Sequence, residues 1–449
     1  MKLRFAPSPT GLLHAGNARV ALANALVAKK HGAQFLLRLD DTDRPRSRPE
    51  YEEAIQQDLA WLGIGWDEYA RQSDRLDRYA EAAERLRAAG RLYACFESEE
   101  ELAAKREQRR RRGLPPLYDR AMLRLTPDQR ARAEAGGKVP YWRFLLSSGS
   151  AGWDDLVLGA REVKLTSTSD PVVLRADGTP LYTFTSAIDD LADGVTHVIR
   201  GEDHVSNTGV QLDIMAALGV ITGNRRTLRF GHLPLLLGDD GGKLSKRGGA
   251  PTLRAMRQDG VDPSALAGYL ARLGSPDAPE PASLDVLAKT FDLARLSAAP
   301  PRFDGAQLLA INRRALHAAS FEAVQDRLPP GATPAFWHAV RGNLDLLGDA
   351  RAWWEVVAGT IVPPAVPGEA AFLSEARALL PADPWDGDIW PSWTGAIRAA
   401  TGRRGKALYL PLRLALTGEE HGPEMRELLP LIGHDRAAAR LDRAAAGLP

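Results

Sequence analysis

Two short segments carry residue types suited to polyphosphate chemistry. The first is LLHAGNAR, residues 12–19, at the start of a helical pattern. A helix N-terminus offers unpaired N–H groups and partial positive charge, which suits phosphate. Gly16 lets backbone approach a ligand closely, and His14 could donate to a phosphate oxygen as charge develops at phosphorus. The second is KLSKR, residues 243–247, between glycine pairs. Lys243 and Lys246 can reach one polyphosphate, and a loop closing over ATP would stabilise departing pyrophosphate. Taken singly, the first motif reads more often as a helix cap and the second as a solvated loop. A third cluster, Asp40-Asp41-Thr42-Asp43, follows an apolar run.

These residues need elements to place them. Residues 2–6 are an apolar-rich segment ending at Pro7, and PSPTG at 7–11 is a turn-rich loop. Ala18, Ala21, Leu22, Ala25 and Leu26 follow helical spacing within 16–30, closed by His31-Gly32. QFLLRL at 34–39 reads as a buried strand. Strand, helix and strand make a βαβ unit with a right-handed crossover. Ligands gather at the carboxyl ends of such strands, where PSPTG and DDTD both lie.

Residues from about 75 to 180 break the pattern. They are rich in Arg and Glu, with KREQRRRRG at 105–113 and GWDDLVLG at 152–159, and read as an insertion. The α/β pattern resumes with a helix at 181–191, a strand at 196–200, a helix at 207–219, a strand at 227–230 and a turn at 238–242. Beyond 250 the pattern is helical, with proline-rich joints. The fold class expected is α/β: a Rossmann-type doubly wound parallel sheet split by an insertion, then an all-helical C-terminal region. The expected boundaries are 1–75 and 181–237 for the two halves of the nucleotide fold, 76–180 for the insertion, 238–315 for the lysine loop and following helices, and 316–449 for the helical end.

Composition narrows the class. The 449 residues are 44% hydrophobic and 26% charged, which argues against disorder. No apolar run is long enough for a membrane span, and the proline-rich start is not a secretory signal. The single cysteine, Cys95, excludes an intrachain disulfide and a cysteine-built zinc knuckle, and fits a reducing cytosol. A net charge of +1 argues against a nonspecific nucleic-acid coat but leaves room for a local basic patch.

The two lysine and histidine motifs together are far more telling than either. RFAPSPTGLLHAGNAR opens the chain and GDDGGKLSKRGG follows the second α/β half. Here the sequence resembles the bacterial-type glutamyl-tRNA synthetases, members of the class I aminoacyl-tRNA synthetases. LHAG is similar to the HIGH signature, KLSKR to KMSKS, and LLRLDDTD to the family's LRIEDTD. RFAPSPTG stands where a glutaminyl enzyme has a PEPNG-like segment. THVIRGEDHVSNT, FDLARLSAAPPRFDGAQLLAINRRAL and GKALYLPLRLALTGEEHGPE also resemble family segments, so the likeness runs from residue 4 to about 440.

The resemblance implies a cytoplasmic glutamate–tRNA ligase acting in two steps: glutamate and ATP give glutamyl-adenylate and pyrophosphate, and the terminal ribose of tRNA takes the acyl group. It implies ATP with Mg2+, L-glutamate and tRNA as partners, and a monomer. Glutamate tRNA is the expected acceptor, with glutamine tRNA left open. It assigns His14, Lys243 and Lys246 to catalysis. Arg4, Ser8, Asp40, Tyr182 and Arg200 would bind the amino acid, with Arg200 taking its side-chain carboxylate. His14, Gly16, Asp203, His204, Lys243 and Lys246 would bind ATP. The insertion would contact the acceptor end of tRNA and residues 316–449 the anticodon.

Three departures stand out. Asp40 replaces the usual glutamate, so its contact to a substrate amine would run through water or need a backbone shift. Asn17 replaces the last histidine of the HIGH signature. Three of the four ligands of the relatives' zinc site are absent from LYACFESEEE and YDRAML, so no metal site is expected. The arginine run at 105–113 reads equally as a phosphate-binding or a solvated helix face. Six tryptophans between 337 and 393 read as core more readily than as base-stacking platforms. Competing classes are a shorter paralogue that glutamylates a modified tRNA base, a catalytically inactive tRNA-binding relative, and a small-molecule nucleotidylyltransferase. The long helical C-terminal sequence disfavours the first and last, and the intact His14, Lys243 and Lys246 the second.

Overall fold

A computed structural model describes residues 1–222, 228–238, 241–242, 251–385 and 388–447. Lys243 and Lys246 lie outside the described residues. The chain divides into two compact units, one of residues 1–255 and 267–304, the other of 256–266 and 305–449.

The first unit is built on five parallel strands: β1 (Lys2–Phe5), β2 (Gln34–Leu39), β3 (Glu68–Arg71), β9 (His197–Gly201) and β10 (Arg229–Leu233). Their order is β10-β9-β1-β2-β3. Leu3, Leu36, Leu37, Val198, Ile199 and Phe230 are almost wholly buried, as expected of a parallel sheet covered on both faces. Helix α1 (Ala15–His31) crosses from β1 to β2, and Gly32 closes it at φ 57°, a left-handed conformation that glycine adopts without Cβ strain. Asn24 inside α1 is fully buried and donates to the carbonyl of Ile199, tying helix to β9. The chain then forms α2 (Pro49–Trp61) and β3, an edge strand that the sequence reading did not anticipate.

The intervening region carries helices α3 (Leu76–Ala88), α4 (Glu99–Arg111) and α5 (Pro127–Ala135). It also holds an antiparallel sheet of β4 (Leu92–Cys95), β5 (Tyr141–Phe144) and β8 (Val172–Leu174). A separate hairpin pairs β6 (Ser150–Asp155) with β7 (Gly159–Lys164). Helix α4 starts at a Ser98–Glu101 capping box and buries none of its residues. The hairpin folds back onto the parallel sheet: Leu156 donates to the carbonyl of Phe230 in β10 (2.8 Å). Gly231 leaves room for that contact: a Cβ there would stand 3.3 Å from the Leu156 Cβ, a tight approach. Helices α6 (Tyr182–Ala192) and α7 (Val205–Thr222) complete this unit around the parallel sheet.

In the second unit, helices at Gly305–Ala318, Pro334–Val340, Ala350–Ala358, Ala370–Ala378, Ile389–Thr401, Lys406–Thr417, Met425–Ile432 and His434–Ala445 surround one apolar core. Trp337 and Trp393 are buried in it, and Trp353, Trp354, Trp385 and Trp390 pack against it. No helix among the described residues is long and apolar enough to cross a membrane.

Candidate active site

The carboxyl ends of β1, β2 and β9 open into one cavity of about 1090 Å³. Arg4, Ser8, His14, Gly16, Asp40, Tyr182, Arg200, Asp203 and His204 all line it. Every described residue expected from the sequence is thus in one place. The cavity lies where β1 and β9 adjoin and the strand order reverses, the position at which open α/β sheets bind ligands.

His14 is the N-cap of α1. Its Nδ1 accepts from the Gly16 amide (3.1 Å), which puts the proton of a neutral ring on Nε2. Cap and candidate ligand are therefore the same side chain. Gly16 makes room for the ring in this position: a Cβ there would lie 2.9 Å from His14 Cε1, so the ring would have to shift. The first turn of α1 holds no acidic residue, so no carboxylate there offsets the positive end of its dipole. The backbone of Thr252 forms an antiparallel bridge with His14, and Leu253 donates to the carbonyl of Leu13 (3.0 Å). The chain just beyond KLSKRGG is thereby anchored beside the histidine.

One end of the cavity rests on a buried charge network. Arg4 donates from Nε and Nη2 to the two oxygens of Asp190 (3.1 and 3.3 Å). The two parallel bonds a guanidinium can give a carboxylate ligand are therefore available only along the Nη1–Nη2 edge of Arg4. Arg38, fully buried, donates to Asp40 Oδ1 (2.8 Å), Asp190 Oδ1 (2.7 Å) and Ser186 (3.2 Å). Burial alone would raise the Asp190 carboxyl, but Arg4 and Arg38 outweigh it and hold the group below the ordinary range. Asp40 is different. Burial pushes it up to about 6, and Arg38 offsets this only in part. Its Oδ2 is buried with no hydrogen-bond partner among the described residues. An orphaned carboxylate oxygen in a cavity wall is an acceptor waiting for a donor.

Arg200 is 5% exposed, and its hydrogen-bond partners among the described residues are neutral. It donates to His232 Nε2 (3.3 Å), the Tyr182 hydroxyl (3.3 Å), Thr208 (2.6 Å) and Gln211 (2.8 Å). Among the described residues no carboxylate forms an ion pair with it. Burial accordingly lowers its pKa, with little anionic relief. Beside it, burial and the Arg200 charge lower His204 to about 4, so that ring is neutral at physiological pH. The Tyr182 and His204 rings lie 5.2 Å apart.

Arg38, Asp189, Asp190, Asp155 and His232 were missed by sequence reasoning. Asp189 collects Gln72, Arg75, Arg78 and Tyr79. Its signal was a pair of acids inside an otherwise apolar helix; Arg38 sat inside the quoted LLRLDDTD. In the intervening region, burial pushes the Cys95 thiol up to about 11, a state poorly suited to metal ligation, and Tyr118 donates to Glu97 (2.6 Å). Among the described residues no group of three or more His, Cys, Asp and Glu is placed to hold a metal ion.

Comparison with known proteins gives the class first. Residues 1–310 match the model of the class I tRNA synthetase (E and Q) catalytic domain, and residues 366–445 that of an anticodon binding domain. The chain is a class I aminoacyl-tRNA synthetase by that match. It is 65% identical to the glutamate–tRNA ligase 2 of Acidiphilium cryptum (strain JF-5), over 99% of this chain and all of that one. It is 63% identical to the glutamate–tRNA ligase 2 of Gluconacetobacter diazotrophicus, with the same coverage. A crystal structure of a glutamate tRNA ligase from Elizabethkingia meningosepticum in complex with its amino acid superposes with a TM-score of 0.84 at 27% identity, covering 100% of both chains. The chain belongs to the glutamate–tRNA ligase family.

Proposed function

We propose that the chain activates L-glutamate with ATP and transfers it to the 3′-terminal adenosine of glutamate tRNA. In the first step a glutamate carboxylate oxygen bonds to the α-phosphorus as the bond to the β-phosphate oxygen breaks, and pyrophosphate leaves. In the second the ribose hydroxyl attacks the acyl carbon and AMP leaves. Both steps need positioning and charge stabilisation rather than a covalent enzyme intermediate.

The observation that carries this reading is the charge pattern of the cavity. It presents an unopposed guanidinium (Arg200), an unpartnered carboxylate oxygen (Asp40 Oδ2) and a second arginine edge (Arg4). Glutamate bears the complementary set: a side-chain carboxylate, an ammonium and an α-carboxylate. Arg200 with Tyr182 takes the first, Asp40 the second, and Arg4 with Ser8 the third. Glutamine would leave the Arg200 charge unanswered in a dry pocket, which is costly.

ATP, carrying Mg2+ as part of the substrate, lies with its phosphates at the α1 N-terminus against His14 and Gly16. Asp203 and His204 contact adenosine. Lys243 and Lys246 reach the departing pyrophosphate, with Lys246 the main stabiliser of developing charge. Helix α4, which buries nothing in the free protein, offers its arginines to the acceptor end of tRNA, and residues 366–445 serve the anticodon. Glutamate-dependent ATP–pyrophosphate exchange, run with and without purified glutamate tRNA, tests this. Exchange with charging of the tRNA terminus is expected. Exchange without terminal charging would favour transfer to a modified base, and silence even with tRNA an inactive relative.

A further inference from the structure

Arg4 and Arg200 face the same cavity but are held in opposite ways. Arg4 is ion-paired to Asp190, whereas Arg200 is oriented without a counter-charge. Its register neighbour His232, in β10, accepts the Arg200 Nε–H on Nε2 (3.3 Å). Behind His232 stands Asp155, at the end of β6. Asp155 Oδ2 accepts from His232 Nδ1 and from Trp153 Nε1 (3.1 Å). Its Oδ1 accepts three backbone N–H groups, from His232 (3.0 Å), Val157 (3.1 Å) and Leu158 (3.0 Å). Both side chains are wholly buried.

We propose that Asp155 and His232 are positioning residues for substrate specificity: Asp155 fixes the His232 tautomer, and neutral His232 aims the Arg200 guanidinium at the substrate carboxylate without neutralising it. The inference rests on Arg200 binding that carboxylate. The chemistry follows from what each group can do. An ionised carboxylate only accepts, so Nδ1 carries the ring proton and Nε2 presents a lone pair to Arg200. Those hydrogen bonds hold Asp155 ionised despite its burial, and burial holds His232 neutral despite the carboxylate. A carboxylate placed directly on Arg200 would orient it equally well but would compete with the ligand. An imidazole between the two gives direction and leaves the charge for the substrate.

Asp155→Asn is a sharp test because it is nearly isosteric. The three backbone N–H groups require an acceptor, so the amide oxygen takes the Oδ1 position and the NH2 faces His232. The imidazole then protonates on Nε2, which can donate to Thr208 Oγ1 (2.9 Å) but no longer accepts the Arg200 Nε–H. In tRNA-supported exchange, Asp155→Asn is expected to raise the glutamate KM about tenfold or more and to narrow the preference for glutamate over glutamine, with the ATP KM unchanged. His232→Gln offers an acceptor at the reach of Nε2 and has no tautomer to set. In that background Asp155→Asn should lose most of its effect on glutamate KM. Additive losses in the double variant, or a fall in kcat with glutamate KM unchanged, would overturn the proposal. Should Asp155→Asn fail to fold, His232→Leu against His232→Gln decides it: only the leucine variant should raise the glutamate KM, and equal effects would refute the role. Arg200→Ala separates the two layers. If it leaves the glutamate preference intact, the reading of Arg200 fails; if it abolishes the preference while Asp155→Asn does not touch it, the relay alone fails.

Discussion

Asp40 is the residue at which chemistry and pH meet most directly. Burial raises its carboxyl to about 6, so it is ionised at neutral pH and protonates within reach of a mild acid shift. Only the ionised form attracts an ammonium. The kcat/KM for glutamate should therefore fall as the pH drops through about 6, because that ratio reports the free enzyme. Asp40→Asn should lower the neutral-pH value and abolish this acid limb in a pH profile of exchange. A limb that survives in the variant would assign the titration elsewhere. Arg200→Ala removes a buried guanidinium that pairs with no carboxylate among the described residues. Truncating one side of a buried charge pair costs about 2–5 kcal/mol, so kcat/KM for glutamate should drop at least about thirtyfold. Glutamine should lose far less, and a parallel loss for both would deny Arg200 its role.

At the scale of elements, the junction of β1 and α1 can be perturbed almost without touching stability. Gly16→Ala would press a methyl into the His14 ring and break the Nδ1 cap. Losing a cap costs about 1 kcal/mol, and replacing a helical glycine returns roughly 0.5–1 kcal/mol. Thermal midpoint should hardly move while adenylate formation falls tenfold or more; equal wild-type rates would mean the ring position is immaterial. The helical unit offers the opposite case. Trp393 is fully buried and donates to the Ala376 carbonyl (2.9 Å), so Trp393→Ala should destabilise by about 3–5 kcal/mol, read from urea unfolding. A small loss would argue that this tryptophan is not core. The β1-α1-β2 unit was legible because apolar spacing and a glycine stop specify it locally. The edge strand β3 was not: only Ala70 of its four residues is buried, so no hydrophobic pattern marks it. The turn after Asp155 was not legible either, because its seat on β10 depends on a partner far along the chain.

Across the first unit, sequence alone placed Arg4, His14, Asp40 and Arg200 in one site because each sits in a motif with a recognisable family context. It could not reveal that Asp190 engages Arg4, or that Arg200 has only neutral partners, since those depend on pairings between segments more than a hundred residues apart or on strand register. The same logic of remote segments meeting at one point underlies the central claim: a histidine from the chain's opening and a lysine from its middle act on one triphosphate. Thr252, just after the lysine loop, already pairs with His14. The most direct measurement is the single-turnover rate of glutamyl-adenylate formation by Lys246→Ala with tRNA bound, alongside its affinity for glutamate. A fall of about a hundredfold or more in rate with glutamate affinity nearly unchanged is the predicted result. A wild-type rate, or equal losses in rate and glutamate affinity, would contradict it.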